Sequence, residues 1–253
     1  MMAWSKVAAS VVVCFTMMAA ASAVEAAEIT VLCSNGMKEV LVELIPVFER
    51  ATGNKVSVNY DTTTNIVDRL NGGAKTDLVV LTSEAIDALM KQGVVVPGSR
   101  VDLARSGIAL AVRSGAPKPG IASPEALKQA LLAAKSIAIT SNGVSGVHML
   151  SVMERLGIAD AMKPRIIRVD AGPTGALVAS GRAEIAVQQF SELMPVPGVE
   201  IIGALPGALQ RITVFSAGLS RSAAEPAAAK ALVQLLAADS AQPVITRKGL
   251  EPR

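Results

Sequence analysis

The chain is short of the residues that carry most enzyme chemistry. Its 253 residues include one histidine, one tryptophan, one tyrosine and two cysteines, and aromatics make up 2%. That supply cannot furnish the Cys/His ligand set of a zinc site or the framework of a disulfide-stapled domain. Few rings also disfavour sugar recognition, which stacks its ligand on them. Charge of one sign is lacking too: 24 Lys plus Arg stand against 21 Asp plus Glu, scattered without a basic run. A surface that tracks nucleic-acid phosphates is therefore not expected. No metal or cofactor is expected, and recognition falls to hydroxyls, amides and the backbone. What is plentiful is apolar: 51% hydrophobic residues against 18% charged ones exclude a disordered tail and provide for a sizeable core.

Lys6 precedes an uncharged run rich in Ala, Val and Met over residues 7–24, which ends in Ala21-Ser22-Ala23 before Glu25. A charged start, an apolar middle and a small-residue end make residues 1–23 a secretory signal, with cleavage after Ala23 or Ala27. Cys14 follows Val12 and Val13, not the small residues of a lipoprotein site. Processing would leave Cys33 as the single thiol, so no internal disulfide is expected. No later segment is long and apolar enough to span a bilayer. The expected product is a soluble periplasmic monomer.

From Glu28 onward, short β-branched runs alternate with amphipathic stretches. Residues 29–32, 55–60 and 77–81 read as strands, and residues 37–51, 64–70 and 84–91 as helices, the repeated unit of a parallel α/β sheet. The pattern breaks at residues 97–99. A strand over 108–112 and a turn-rich connection over 115–120 lead to a second series: helices from Ser123-Pro124 and over 147–156 and 175–180, strands over 136–139, 165–169 and 184–187. Strands over 199–202 and 212–215 and a helix over 226–238 follow. Two such series suggest two lobes, the C-terminal helix returning to the first: residues 28–105 with 212–253, and residues 106–211.

Polar atoms gather where strands lead into helices, at Cys33-Ser34-Asn35-Gly36, Asp61-Thr62-Thr63-Thr64, Thr140 to Gly146, and Ala171-Gly172-Pro173-Thr174-Gly175. In a parallel sheet these corners share the carboxyl edge, where ligands bind, and helix starts there offer unpaired amides to an anion. Each corner also reads as an ordinary helix cap. Ser145 and His148 raise a serine hydrolase as a rival, although Val147 stands where a nucleophile elbow needs its last glycine. No phosphate-binding loop occurs. A sensor lobe for a membrane partner is a third class.

Three stretches resemble a known family: "ITVLCSNGMKEVLVELIPVFERATGNKVSV" from Ile29, "TTTNIVDRLNGGAKTDLVVLTSEAIDALMKQGVV", and "ALVASGRAEIAVQQFSEL". They are similar to the type II periplasmic solute-binding proteins of ABC importers, most of all the molybdate-binding branch. The resemblance implies an α/β fold of two lobes joined by a two-stranded hinge, closing on a small oxyanion such as molybdate or tungstate, with a membrane permease as partner and no catalysis. It carries the family's first oxyanion serine onto Gly36 or its neighbours Ser34 and Asn35, and the second onto Thr63 or Thr64. The backbone donor falls on Ser145, before Gly146, and the family's tyrosine on Gln189, with Ser191-Glu192 in place of a Ser-Asp pair. Gly36 has no hydroxyl and Gln189 replaces a phenol. With Thr174 from the fourth corner, these are the candidate ligand-binding residues. If Asp61 or Asp170 faces the cleft, a protonated or amine-bearing ligand is favoured. A small organic acid is the alternative ligand, with Lys38, Arg113 or Arg168 as counter-ion.

Overall fold

A computed structural model describes residues 26–170 and 172–253, so the expected signal segment lies outside the described residues. The first strand, β1 (Glu28–Ser34), runs into a short 3-10 turn and α1 (Lys38–Thr52). Val40, Leu41, Leu44, Ile45 and Phe48 form the buried stripe of α1, at the three-to-four spacing that puts them on one face. Gly53, with φ of 77°, ends the helix in the left-handed conformation that glycine adopts without penalty. Then come β2 (Lys55–Asp61), α2 (Thr63–Asn71), β3 (Leu78–Thr82) and α3 (Ser83–Lys91). Thr62 and Thr82 cap α2 and α3 through their hydroxyls.

The strand expected over residues 108–112 is longer. β4 (Val101–Arg113) pairs with β9 (Ile212–Leu219) along its first half and with β7 (Ile185–Gln189) and β8 (Val199–Ala204) along its second. Between β4 and β7 lie α4 (Pro124–Ala133), β5 (Ile137–Thr140), α5 (Val144–Arg155), α6 (Ala159–Met162), β6 (Ile166–Val169) and α7 (Gly175–Ala179). The one-turn α8 (Phe190–Leu193) follows β7 directly, and α9 (Pro226–Leu236), α10 (Gln242–Arg247) and β10 (Glu251–Pro252) close the chain.

The strand order is β2-β1-β3-β9-β4-β7-β5-β6, with β8 and β10 also on β4. β1 pairs in parallel with β2 and β3, and β5 with β6 and β7; β9 and β4 run antiparallel to their neighbours. The expected parallel series are therefore each completed by an antiparallel return, giving a mixed sheet. Its apolar residues fall into separate clusters. One joins Ile29, Val31, Val40 and Leu44 to Leu232, Leu236 and Ile245; another joins Ile108, Leu110, Leu127, Met149 and Val187. The C-terminal helices thus pack on the first β-α series. Among the described residues no helix is long and apolar enough to cross a membrane.

Candidate functional site

Parallel strands end with their helices' starts on the same edge, and here that edge holds a cleft of about 630 Å³. Ser34 and Asp61 bring the ends of β1 and β2 to it; Thr140, Val169 and Gln189 bring the ends of β5, β6 and β7. Four of the corners singled out in the sequence therefore converge, and the β7–α8 corner adds a fifth. Among the described residues, no cluster of three or more His, Cys, Asp and Glu forms a metal site.

Five of the nine candidate residues line the cleft: Ser34, Asn35, Thr63, Ser145 and Gln189. The other four stand behind or beside it, each for a packing reason. Gly36 lies against Phe215, whose ring carbon would be 2.2 Å from any Cβ added there, so a serine here would have to displace the buried ring. Gly146 lets α5 approach β5: a Cβ would meet the Thr140 carbonyl oxygen at 1.9 Å, and its amide already donates to Thr140 Oγ1 at 3.2 Å. Thr64 donates its hydroxyl to the Asn142 carbonyl at 3.0 Å, and the Asn142 side-chain amide donates to Asn65 Oδ1 at 2.7 Å. Thr174 is fully buried and gives both its amide and its hydroxyl to Gln188 Oε1, at 2.8 and 2.9 Å.

Gln189 reaches the cleft wall but its amide is committed. Its oxygen accepts from Thr213 Oγ1 at 2.9 Å and its nitrogen donates to the carbonyls of Ser106 and Gly107 at 3.2 and 3.1 Å, tying β7 to β4 and β9. A phenol is nevertheless present, supplied by Tyr60 from β2. Burial pushes Tyr60 well above its ordinary value, so it stays a neutral donor. Of the three cations weighed as counter-ions, only Lys38 lines the cleft, with its ammonium 5.9 Å from the centre of the Tyr60 ring.

The remaining donors are uncharged. Among the described residues the buried hydroxyls Thr63 Oγ1 and Ser191 Oγ have no hydrogen-bond partner, and both residues line the cleft. A buried hydroxyl without a partner costs about 1–3 kcal/mol, which a ligand atom would recover. Gly143 gives α5 no side-chain cap. Gly146 donates to Thr140 Oγ1 on β5 and Val147 to the Gly143 carbonyl, which leaves the amides of Val144 and Ser145, in the first turn of α5, for a ligand. Ser145 does not meet His148, whose Nε2 sits 2.8 Å from the Leu209 carbonyl oxygen; the pair expected of a hydrolase is not assembled.

Four carboxylates also face the cleft: Glu39, Asp61, Asp170 and Glu192. Asp61 accepts from the Thr62 amide and the Asn65 side chain, at 2.7 and 2.8 Å, and Asp170 from the Ser141 hydroxyl. Glu192 differs. Burial raises its carboxyl from 4.5 to about 7, against hydrogen bonds from the Gln188 side chain and the Gln189 backbone that pull it down. Sequence reasoning placed Glu192 only beside Ser191 in a substituted pair. The one-turn α8 that aims both residues at the cleft is too short to show a periodic signal.

The chain matches the family model described as bacterial extracellular solute-binding protein over residues 29–251. It is 38% identical over 230 residues to an aconitate isomerase from a Pseudomonas species, covering 88% of this chain and 87% of that one. In fold it is similar to the periplasmic molybdate-binding protein of Azotobacter vinelandii, with a TM-score of 0.75, 22% identity, and coverage of 89% of this chain and 99% of that one. The agropinic-acid-bound periplasmic binding protein of A. tumefaciens R10 has a TM-score of 0.71 at 14% identity, over 89% of this chain and 83% of that one. The mixed strand order, the cleft at the strand ends and a match along nearly all of the described chain lead to one assignment: this protein belongs to the bacterial extracellular solute-binding proteins and has the type II periplasmic binding fold.

Proposed function

We propose that the protein captures a small organic polycarboxylic acid of the aconitate type in its cleft, in the periplasm, and presents it to the permease of an ABC importer. One observation carries the choice of ligand: Glu192, a carboxyl that holds its proton up to about pH 7, forms part of the cleft wall. A molybdate or tungstate dianion is fully deprotonated near neutrality and takes donors only, so the further acidic side chains on the wall, Glu39, Asp61 and Asp170, disfavour it. An organic acid can share the Glu192 proton through one of its own carboxyl groups. Gly36, beside the cleft, has no hydroxyl, and the Gln189 amide on the wall is already bonded, which weakens the oxyanion reading. The 38% identity to an aconitate isomerase supports an acid of that class.

In this reading, residues 28–105 with 212–253 and residues 106–211 act as two lobes. They close about the stretch where β4 passes from β9 to β7, near Gly107 and Ile108, by population shift toward the ligand-bound form. A thermal-shift series with trans-aconitate, cis-aconitate, molybdate, tungstate and sulfate tests the ligand. Saturation at ~1,000 times Kd should add about 4 kcal/mol of stability. A shift with an aconitate and none with molybdate is expected; the opposite pattern restores the oxyanion.

The same carboxyl favours a second reading, in which the bound acid is also isomerised. A group that exchanges its proton near pH 7, set in a ligand cleft, suits general acid–base work. Proton NMR of trans-aconitate incubated with the protein would show the cis isomer growing in, or leave the spectrum unchanged.

A further inference from the structure

We propose that Glu192 is the catalytic residue of that isomerisation, carrying one proton between two carbons of the bound acid, and that Thr174 and Gln188 position it. The inference rests on the second reading above and assigns it to a particular carboxyl and a particular edge of that carboxyl.

The geometry is a fixed chain. Thr174, fully buried, donates to Gln188 Oε1 twice, from its amide at 2.8 Å and from its hydroxyl at 2.9 Å. That settles which end of the Gln188 amide is the oxygen. Gln188 Nε2 then donates to Glu192 Oε1 at 2.9 Å. Gln188 is itself buried at the end of β7, so the chain cannot turn without breaking these bonds. With Oε1 held as an acceptor, proton exchange falls to Oε2. On the same cleft wall Ser191 Oγ is buried without a partner among the described residues, and Thr63 Oγ1, contributed by the first β-α series, is in the same condition. These two hydroxyls are placed to hold carboxylate groups of a ligand that spans the cleft.

The step balances without any co-reactant. The Glu192 carboxylate removes a proton from the saturated carbon next to the double bond, and the C–H electron pair enters the allylic system. The double bond shifts by one position as the new carboxyl returns the proton to the far carbon. Glu192 ends as it began. The ligand's carboxylates stabilise the transient carbanion by delocalisation, and neutral donors around them preserve that stabilisation. The other titratable groups on the cleft wall are Lys38 and Glu39 from α1, Tyr60 and Asp61 from β2, and Asp170 after β6. Asp61 and Asp170 already hold donors, and Lys38 stands over the Tyr60 ring. Glu192 is set apart from them by the buried Thr174–Gln188 chain that fixes its Oε1.

The test compares the full-length wild type with Glu192→Gln, Glu192→Asp and Gln188→Leu, following trans-aconitate in deuterium oxide by NMR and ligand affinity by calorimetry. General base catalysis is worth roughly 10²–10⁴-fold, so E192Q should lose at least about a hundredfold in kcat while Kd stays within about threefold, and E192D should recover part of the rate. Wild-type kcat/KM should rise with pH through about 7, because the base form is the deprotonated one. Q188L removes a bond that favours the ionised carboxyl, so its inflection should move to higher pH, a change that loss of packing alone would not produce. Wild-type turnover with E192Q equally active overturns this assignment and leaves the isomerase reading standing. A wild type that binds aconitate without converting it overturns the isomerase reading and this assignment with it.

Discussion

Two carboxylates of this protein, Asp77 in the first β-α series and Glu192 in the second, are moved in opposite directions, and the reason is a count of donors. Burial alone would raise Asp77, but it accepts from the amide and hydroxyl of Thr30, both at 2.7 Å, and from the amides of Ala224 and Glu225, at 2.6 and 2.9 Å. These bonds hold it below the ordinary carboxylate range. Glu192 meets only the Gln188 side chain and the Gln189 backbone, and there burial prevails. Just before β3 an ionised carboxylate knots β1 to the start of α9; on the cleft wall a protonatable one is left for a ligand. The contrast separates a structural acid from a functional one without reference to sequence position.

The sharpest break of this comparison is Asp77→Ala. It orphans donors on both β1 and the α9 approach, and removing a buried acceptor costs ~1–3 kcal/mol per stranded group. A loss of about 3 kcal/mol or more is expected, read from the urea unfolding midpoint. The wild type's share from Asp77 is present above the unfolded-state pKa and is lost as pH falls through the depressed folded value, so D77A should also flatten the acid limb of the stability profile.

Next in size is Gly36→Ser, which restores the hydroxyl of the oxyanion-binding pattern at the cost of the contact with Phe215. Overpacking of this kind costs ~1–3 kcal/mol. Differential scanning calorimetry should show a lower melting temperature and no molybdate-dependent rise. A molybdate-stabilised G36S would mean that the ring yields and that ligand choice turns on this one hydroxyl.

Glu192→Gln sharpens the other side. Because the folded carboxyl binds its proton more tightly than the ordinary 4.5, the wild type should lose stability as pH rises from 4.5 to about 7. The E192Q protein should lack that decline, which urea midpoints at pH 5 and pH 8 would resolve. The smallest effect is expected of Ser191→Ala. It removes one neutral donor from the wall, worth about 1 kcal/mol, or roughly fivefold in aconitate Kd by calorimetry, while the ligand-free protein should be no less stable, because the buried hydroxyl it loses has no partner.

Much of the architecture is legible in the residues. The α1 stripe, the Thr62 and Ser123 caps and the β-branched runs each obey a local rule, and most of the expected elements form within a residue or two of their places. α5 begins three residues early, β9 runs four residues further, and the short α6, α8, α10 and β10 were not expected. β4 departs most. Asp102 and Arg105 interrupt its apolar pattern, and its full length exists because β9 pairs with the first half while β7 and β8 take the second. The candidate site divides the same way. Corners rich in hydroxyls were visible as corners, yet Gly36 serves the Phe215 ring, Gly146 the Thr140 carbonyl and Thr174 the Gln188 amide, partners far away in the chain or on another element.

The amino-acid sequence by itself determined which segments become strands and helices and that polar turns would mark the carboxyl edge, because periodicity, capping and turn chemistry act over a few neighbouring residues. Tertiary structure alone decided which of those polar atoms remain free. A hydroxyl or carboxyl is available to a ligand only when no buried donor or acceptor from another strand has claimed it, and that competition depends on distances between elements that meet only in the folded chain.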